Sequence, residues 1–210
     1  MKIAVCITGQ IREGLKFLDN IYNFCIKDLS PDVYLHTYEG DEINTILDFY
    51  KPKKYVLENP DHNYLKIDTC KYVYKDNGCK PSNTLNMWRK RKQVYELIGE
   101  ELYDTILITR FDAYGHTSIT PHLDTDKLCI PFRGNYHRGI FDLCAWGKPD
   151  YIKYYCSLYD KIDEYYENKV WFHPETILKH HLVQRPDIQI ERVYVPFTLR
   201  HIVNFGSDSP

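Results

Sequence analysis

What the sequence lacks narrows its function first. Its seven cysteines (Cys6, Cys25, Cys70, Cys79, Cys129, Cys144, Cys156) are odd in number, scattered, and never spaced C-x-x-C. That argues against a disulfide framework and against structural zinc, which needs close Cys/His pairs; only Cys70 and Cys79 come near each other. Most read as small buried hydrophobes. No G-x-G-x-x-G and no G-x-x-x-x-G-K-[ST] occurs, so dinucleotide and P-loop readings lose their best support. No G-x-S-x-G elbow occurs either, which weakens an α/β hydrolase reading. Charge of one sign is not in excess: 27 Lys+Arg face 29 Asp+Glu, for a net −2. A dedicated nucleic-acid binder usually carries a basic excess, so no nucleic-acid partner is expected. No apolar run reaches the roughly 18 residues that a membrane span needs. The apolar run Lys2–Thr8 ends at Gly9, Gln10 and Arg12, too early for a signal peptide, so a cytoplasmic chain is expected.

What is present is a chain of 210 residues, 43% hydrophobic, enough to bury a sizeable core and incompatible with intrinsic disorder. Its length favours one domain, taken here as residues 1–205, with 206–210 a frayed tail or the start of a linker. The 19 tyrosines suit both ordinary packing and polar, sugar-facing clefts. Lys2–Thr8 reads as a fully buried strand. A helix follows, with Leu15, Leu18, Ile21, Tyr22 and Cys25 on one face. Strands are expected at Asp32–Thr37 and Lys54–Glu58, with a helix at Ile43–Tyr50 between them. This β-α-β-α-β order predicts a parallel sheet with right-handed crossovers. Asn59–Pro81 reads as a long surface excursion, and Ser82 or Asn83 can cap a helix running to about Gly99. Further strands are expected at Tyr103–Thr109, Lys127–Pro131, Phe141–Trp146 and Ile188–Val195. Helices are expected from Pro149 to about Glu167 and from Pro174 to His181.

In open α/β sheets ligands bind beyond the carboxyl ends of the strands, so the residues after each apolar run matter most. After the first strand come Thr8, Gly9, Gln10 and Arg12; the glycine lets backbone approach a ligand and the arginine suits phosphate. An ordinary βα turn explains the same residues. After the mid-chain strand come Arg110 and Asp112; a carboxylate there can hold a hard divalent cation. Asp112 capping a turn or pairing with Arg110 is the plainer alternative. The helical run Arg89–Lys92 fans four cations around the axis, mostly a solvated face, with Arg89 sharing a face with Asn86 and Gln93 and able to reach a phosphate. Arg133–Gly139 is a polar, glycine-punctuated loop. It leads to Asp142, placed at a strand start among apolar neighbours, where desolvation raises a carboxylate's pKa as a general base requires. Glu175 opens a helix; dipole capping and catalysis explain it equally well. His180 and His181 are adjacent on a helix and point apart, which argues against a two-histidine metal site.

Taken together, Met1–Arg12, Thr109-Arg-Phe-Asp112, Asp142–Gly147 and His173-Pro-Glu-Thr176 resemble the nucleotide-sugar glycosyltransferases of the GT-A type. They are similar to the small glycosyltransferase domains that large algal (chlorella) viruses use to build capsid glycans. The resemblance spans nearly the whole chain and implies an α/β fold with a Rossmann-like, mixed, mostly parallel central sheet flanked by helices. It also implies a UDP-sugar donor of a hexose or a 6-deoxyhexose such as rhamnose, a glycan acceptor, and Mn²⁺ or Mg²⁺ on the donor diphosphate. The metal motif of such enzymes is Asp-x-Asp; here the stretch reads Arg110-Phe-Asp112, so the resemblance gives the metal to Asp112 and leaves Arg110 where the first acid stands. Thr8 to Arg12, with Asn86, Arg89 and Arg110, would hold the nucleotide. An inverting enzyme needs a carboxylate to take the acceptor proton, and Asp142 and Glu175 are the candidates. A monomer or weak oligomer is expected. A non-catalytic nucleotide- or carbohydrate-binding module on the same fold is the rival reading, made serious by half a metal motif.

Overall fold

A computed structural model describes residues 1–11, 18–59, 80–123, 126–132 and 138–195, with the backbone of 197–199. Arg12, the excursion 60–79, most of the Arg133–Gly139 loop and the tail 206–210 lie outside the described residues. Nine strands and six helices are seen among the described residues, in the order β1 (Ile3–Thr8), α1 (Leu18–Cys25), β2 (Asp32–Tyr38), α2 (Ile43–Tyr50), β3 (Lys54–Glu58), α3 (Pro81–Glu96), β4 (Thr105–Arg110), β5 (Ala113–Gly115), β6 (Leu128–Pro131), β7 (Ala145–Gly147), α4 (Pro149–Cys156), α5 (Ile162–Glu167), α6 (Pro174–Val183), β8 (Ile190–Val193) and β9 (Phe197–Leu199).

Seven strands form one sheet in the order β3-β2-β1-β4-β7-β6-β8. β1, β2, β3 and β4 run parallel to one another, and β6 runs parallel to β8; β7 is antiparallel to both its neighbours. The sheet is thus mixed and mostly parallel, with helices packed on it. β1 is buried along its whole length, as an unbroken apolar run between two parallel neighbours must be. β5 and β9 pair in a small antiparallel ribbon beside the sheet end, which the sequence did not announce.

The differences from sequence expectation are local. On α1 the buried residues are Leu18, Ile21, Phe24 and Cys25, whereas Tyr22 faces out. Pro81, not Ser82 or Asn83, opens α3, as suits a residue whose missing N–H is no loss in a first turn. The expected helix from Pro149 to Glu167 is broken by a 3₁₀ stretch at Ser157–Lys161. β7 is only three residues long, so Asp142 stands in the irregular segment before it rather than at a strand start. The five cysteines among the described residues are buried and unbridged.

Because β7 is antiparallel to β4, its entry lies at the same sheet edge as the exit of β4. β6 and β8 also end there. The carboxyl edge of the parallel strands, the Asp142 segment and the chain around Pro131 and Val193 therefore converge on one side of the molecule. No helix among the described residues is long and apolar enough to cross a membrane.

Candidate active site

The edge is built first from backbone. Thr8 pairs with His36 on one side and Arg110 on the other. The chain then turns at Gly9, whose φ of 103° is open to glycine and costly for any L side chain. The Gly9 N–H donates to the His36 carbonyl (3.1 Å), and the Thr37 hydroxyl donates to the Gly9 carbonyl (2.8 Å). Both main-chain groups of Gly9 are thus held by β2, with nothing within 4 Å of the space a Gly9 Cβ would fill.

Arg110 closes β4, and Asp112 follows two residues later. The guanidinium grips the carboxylate with both arms, Nε to Oδ1 at 2.8 Å and Nη2 to Oδ2 at 2.6 Å. Asp112 is nearly buried, and the Arg110 side chain about a fifth exposed. Nη1 of Arg110 meets the Met87 thioether on α3 at 3.5 Å.

This pairing decides how well Asp112 suits a divalent cation. Both carboxylate oxygens already face a positive group, and no cluster of three or more His, Cys, Asp or Glu that could hold a metal forms among the described residues. A dication on those oxygens would sit beside the guanidinium they already bind, so like-charge repulsion opposes it. The residues present do not fit a metal here as they are arranged.

The cation run on α3 departs furthest from expectation. Lys90 and Arg91 are 2% and 1% exposed, not a solvated face. Lys90 bonds Glu58, at the carboxyl end of β3, and lies over the Tyr38 ring (4.0 Å to its centroid). Arg89 adds two contacts to the same carboxylate, Nη1 to Oε1 at 2.7 Å and Nη2 to Oε2 at 2.9 Å, and it also reaches Gln93 (2.9 Å) and Asn86 (3.4 Å). His36 Nε2 completes the cluster on Oε1 at 3.0 Å. Burial alone would raise the Glu58 pKa, but the hydrogen bonds from Arg89 and Lys90 and their charges hold it at about 2. His36 is pushed down to about 4, chiefly by burial and then by the Lys90 charge. Arg89 thus lies at the edge as expected, anchored by Glu58, a residue sequence reading had not singled out.

Arg91 points to the other half of the edge. It packs over Trp88 (4.3 Å to the ring centroid) and donates to the main-chain carbonyl of Asp142; its Nη1 lies 3.8 Å from Asp142 Oδ2. The Tyr155 hydroxyl donates to the same carbonyl at 3.2 Å. Asp142 is therefore buried as expected, beside Arg91, a cation that its place in the Arg89–Lys92 run assigns to a solvated face. Glu175 is equally buried, in the first turn of α6, and lies close enough to Arg192 of β8 for the two charges to interact. The Ile140 N–H donates to the Glu175 carbonyl at 3.0 Å, so the segment leading into Asp142 runs along the start of α6. Gly139 is required for that approach: a Cβ on it would lie 2.4 Å from the Glu175 main chain. His181 is structural: its Nε2–H donates to the Tyr154 carbonyl (2.8 Å) and its Nδ1 accepts from the Tyr165 hydroxyl (2.8 Å).

The structure therefore brings Thr8, Gly9, Arg89 and Arg110–Asp112 to one half of the edge and Asp142 and Glu175 to the other, while Arg12 is outside the described residues. No family model and no curated protein matches the chain. Among solved structures, an active-site mutant of LgtC, a GT-A glycosyltransferase, matches with a TM-score of 0.52 over 85% of this chain and 69% of its own, at 12% identity. That likeness establishes the fold: the chain has a GT-A, Rossmann-like architecture.

Proposed function

We propose that this chain is a glycosyltransferase that moves a sugar from a UDP-sugar to a hydroxyl of a glycan acceptor. The observation that carries the reading is the division of one sheet edge: a fixed glycine turn and guanidinium groups over β1–β4, and two buried carboxylates by β7 and α6. Breaking the anomeric C–O bond puts negative charge on the departing diphosphate, and preorganised cations answer it best in a site that already excludes water. In this reading the Thr8–Gly9 turn offers backbone to the nucleotide, and Arg110 and Arg89 face the diphosphate. In an inverting course the acceptor oxygen bonds the anomeric carbon as the diphosphate leaves, and its proton passes to a carboxylate on the opposite face of the sugar. Asp142 is the first choice, since Arg91 and Tyr155 both hold its main chain; Glu175 is the second. A hexose or 6-deoxyhexose donor and a part in viral capsid glycan synthesis rest on the sequence resemblance.

Product analysis with a panel of UDP-sugars and oligosaccharide acceptors tests the reading. Wild type is expected to release UDP with acceptor-dependent transfer. Asp142→Asn is expected to lower kcat by 100-fold or more while changing the Kd for UDP by less than about threefold, the general-base signature. Glu175→Gln producing that pattern instead would move the base to α6. The Arg110–Asp112 pair favours one rival, a nucleotide-binding module without turnover; UDP binding with no transfer to any acceptor would establish it.

A further inference from the structure

We propose that a nucleoside diphosphate is held at this edge by Arg110, with Asp112 as its positioning residue, so that nucleotide binding by this chain does not depend on a divalent cation. The inference rests on the reading of the edge as a nucleotide-sugar site and deepens it. Three observations carry it. Where the resemblance places the first acid of a metal motif, the chain has Arg110, which turns a negative charge at the strand end into a positive one. The second acid is turned to that arginine through both oxygens, a bidentate pairing that fixes the guanidinium plane as well as its position. At the end of β4 Arg110 reaches α3, where Met87 touches it and Arg89 and Lys90 are anchored on Glu58. The charges facing the edge from β3, β4 and α3 are therefore Glu58, Asp112, Arg89, Lys90 and Arg110. Arginine is the side chain whose flat fork of donors matches phosphate oxygens, and one held by a buried acid loses little freedom when it binds.

Calorimetric titration of the full chain with UDP, GDP and CMP, each in Mn²⁺ and in EDTA, tests this. The expected result is UDP binding with a Kd that agrees within about twofold between the two buffers. Arg110→Gln is expected to weaken UDP about 10- to 100-fold in both buffers, the range for loss of a charge-assisted hydrogen bond, and Arg110→Lys to recover part of it. Asp112→Asn is expected to weaken UDP several-fold with no change in the response to Mn²⁺, which separates positioning from metal ligation. Thermal unfolding of each variant within a few degrees of wild type secures the comparison. UDP affinity that rises tenfold or more with Mn²⁺, a rise lost in Asp112→Asn, would overturn the inference and leave the transferase reading intact. Unchanged UDP affinity in a folded Arg110→Gln would overturn it too. No binding of any of the three nucleotides in either buffer would overturn both.

Discussion

At the scale of single residues the chain stores titratable groups in environments that favour one protonation state. His36 and His181 are fully buried and pushed down to about 4, in each case first by desolvation, so the folded state keeps them neutral where the unfolded chain takes up a proton near 6.5. A depressed histidine pKa contributes stability that is complete above 6.5 and is lost as pH falls toward 4. Each represents on the order of 3 kcal/mol over that window. Glu58, held at about 2, acts in the same direction lower down, between its unfolded value of 4.5 and about 2. Urea midpoints measured from pH 7 to pH 4 are therefore expected to fall steadily, and His181→Gln is expected to flatten part of that slope. A midpoint unchanged across the window would contradict the neutral-histidine account. These partners could not be read from the sequence. Lys90 and Arg91 sit in a run of four cations that looks like a solvated face, and their partners are 32 and 51 residues away.

At the scale of elements, legibility followed length and burial. β1, β2 and β4 are apolar runs ending in polar residues and buried nearly throughout, and this makes them legible as parallel strands. β3 is a shorter run at the sheet edge, largely exposed at its start, and is legible mainly because Pro52 ends the helix before it. β5, three residues long, carries no periodicity to detect; β7 is legible as a strand, but the apolar stretch from Phe141 makes it look twice its three-residue length; and α4 and α5 share a pattern that runs through the 3₁₀ break between them. Thr8, Arg110 and Asp112 were legible as site candidates because they follow such runs. Glu58 was not, although it also ends one. Two glycines make element-level predictions. Gly139→Ala would press a methyl into the Glu175 main chain, so turnover is expected to fall at least tenfold while UDP binding persists, the insertion being at the α6 half of the edge. Gly9→Ala meets open space but an unfavourable φ, so it is expected to cost about 1–2 kcal/mol in stability by chemical denaturation and to weaken UDP binding. A Gly9→Ala protein as stable as wild type would mean the turn relaxes without strain.

At the scale of the molecule, the sheet order explains how residues from distant parts of the chain share one edge. β1 to β4 bring the cation-bearing half, and the reversal at β7 returns the chain so that Asp142 and then α6 meet the same edge from the other side. The proposed function requires a nucleotide sugar to bind across that edge. The most direct test is amide hydrogen exchange of the chain with and without saturating UDP. Slowed exchange is expected in the segments around Thr8–Gln10, His36–Tyr38 and Arg110–Ala113, with α5 and the outer end of α4 unchanged. Protection confined to other surfaces, or none with UDP bound, would contradict it.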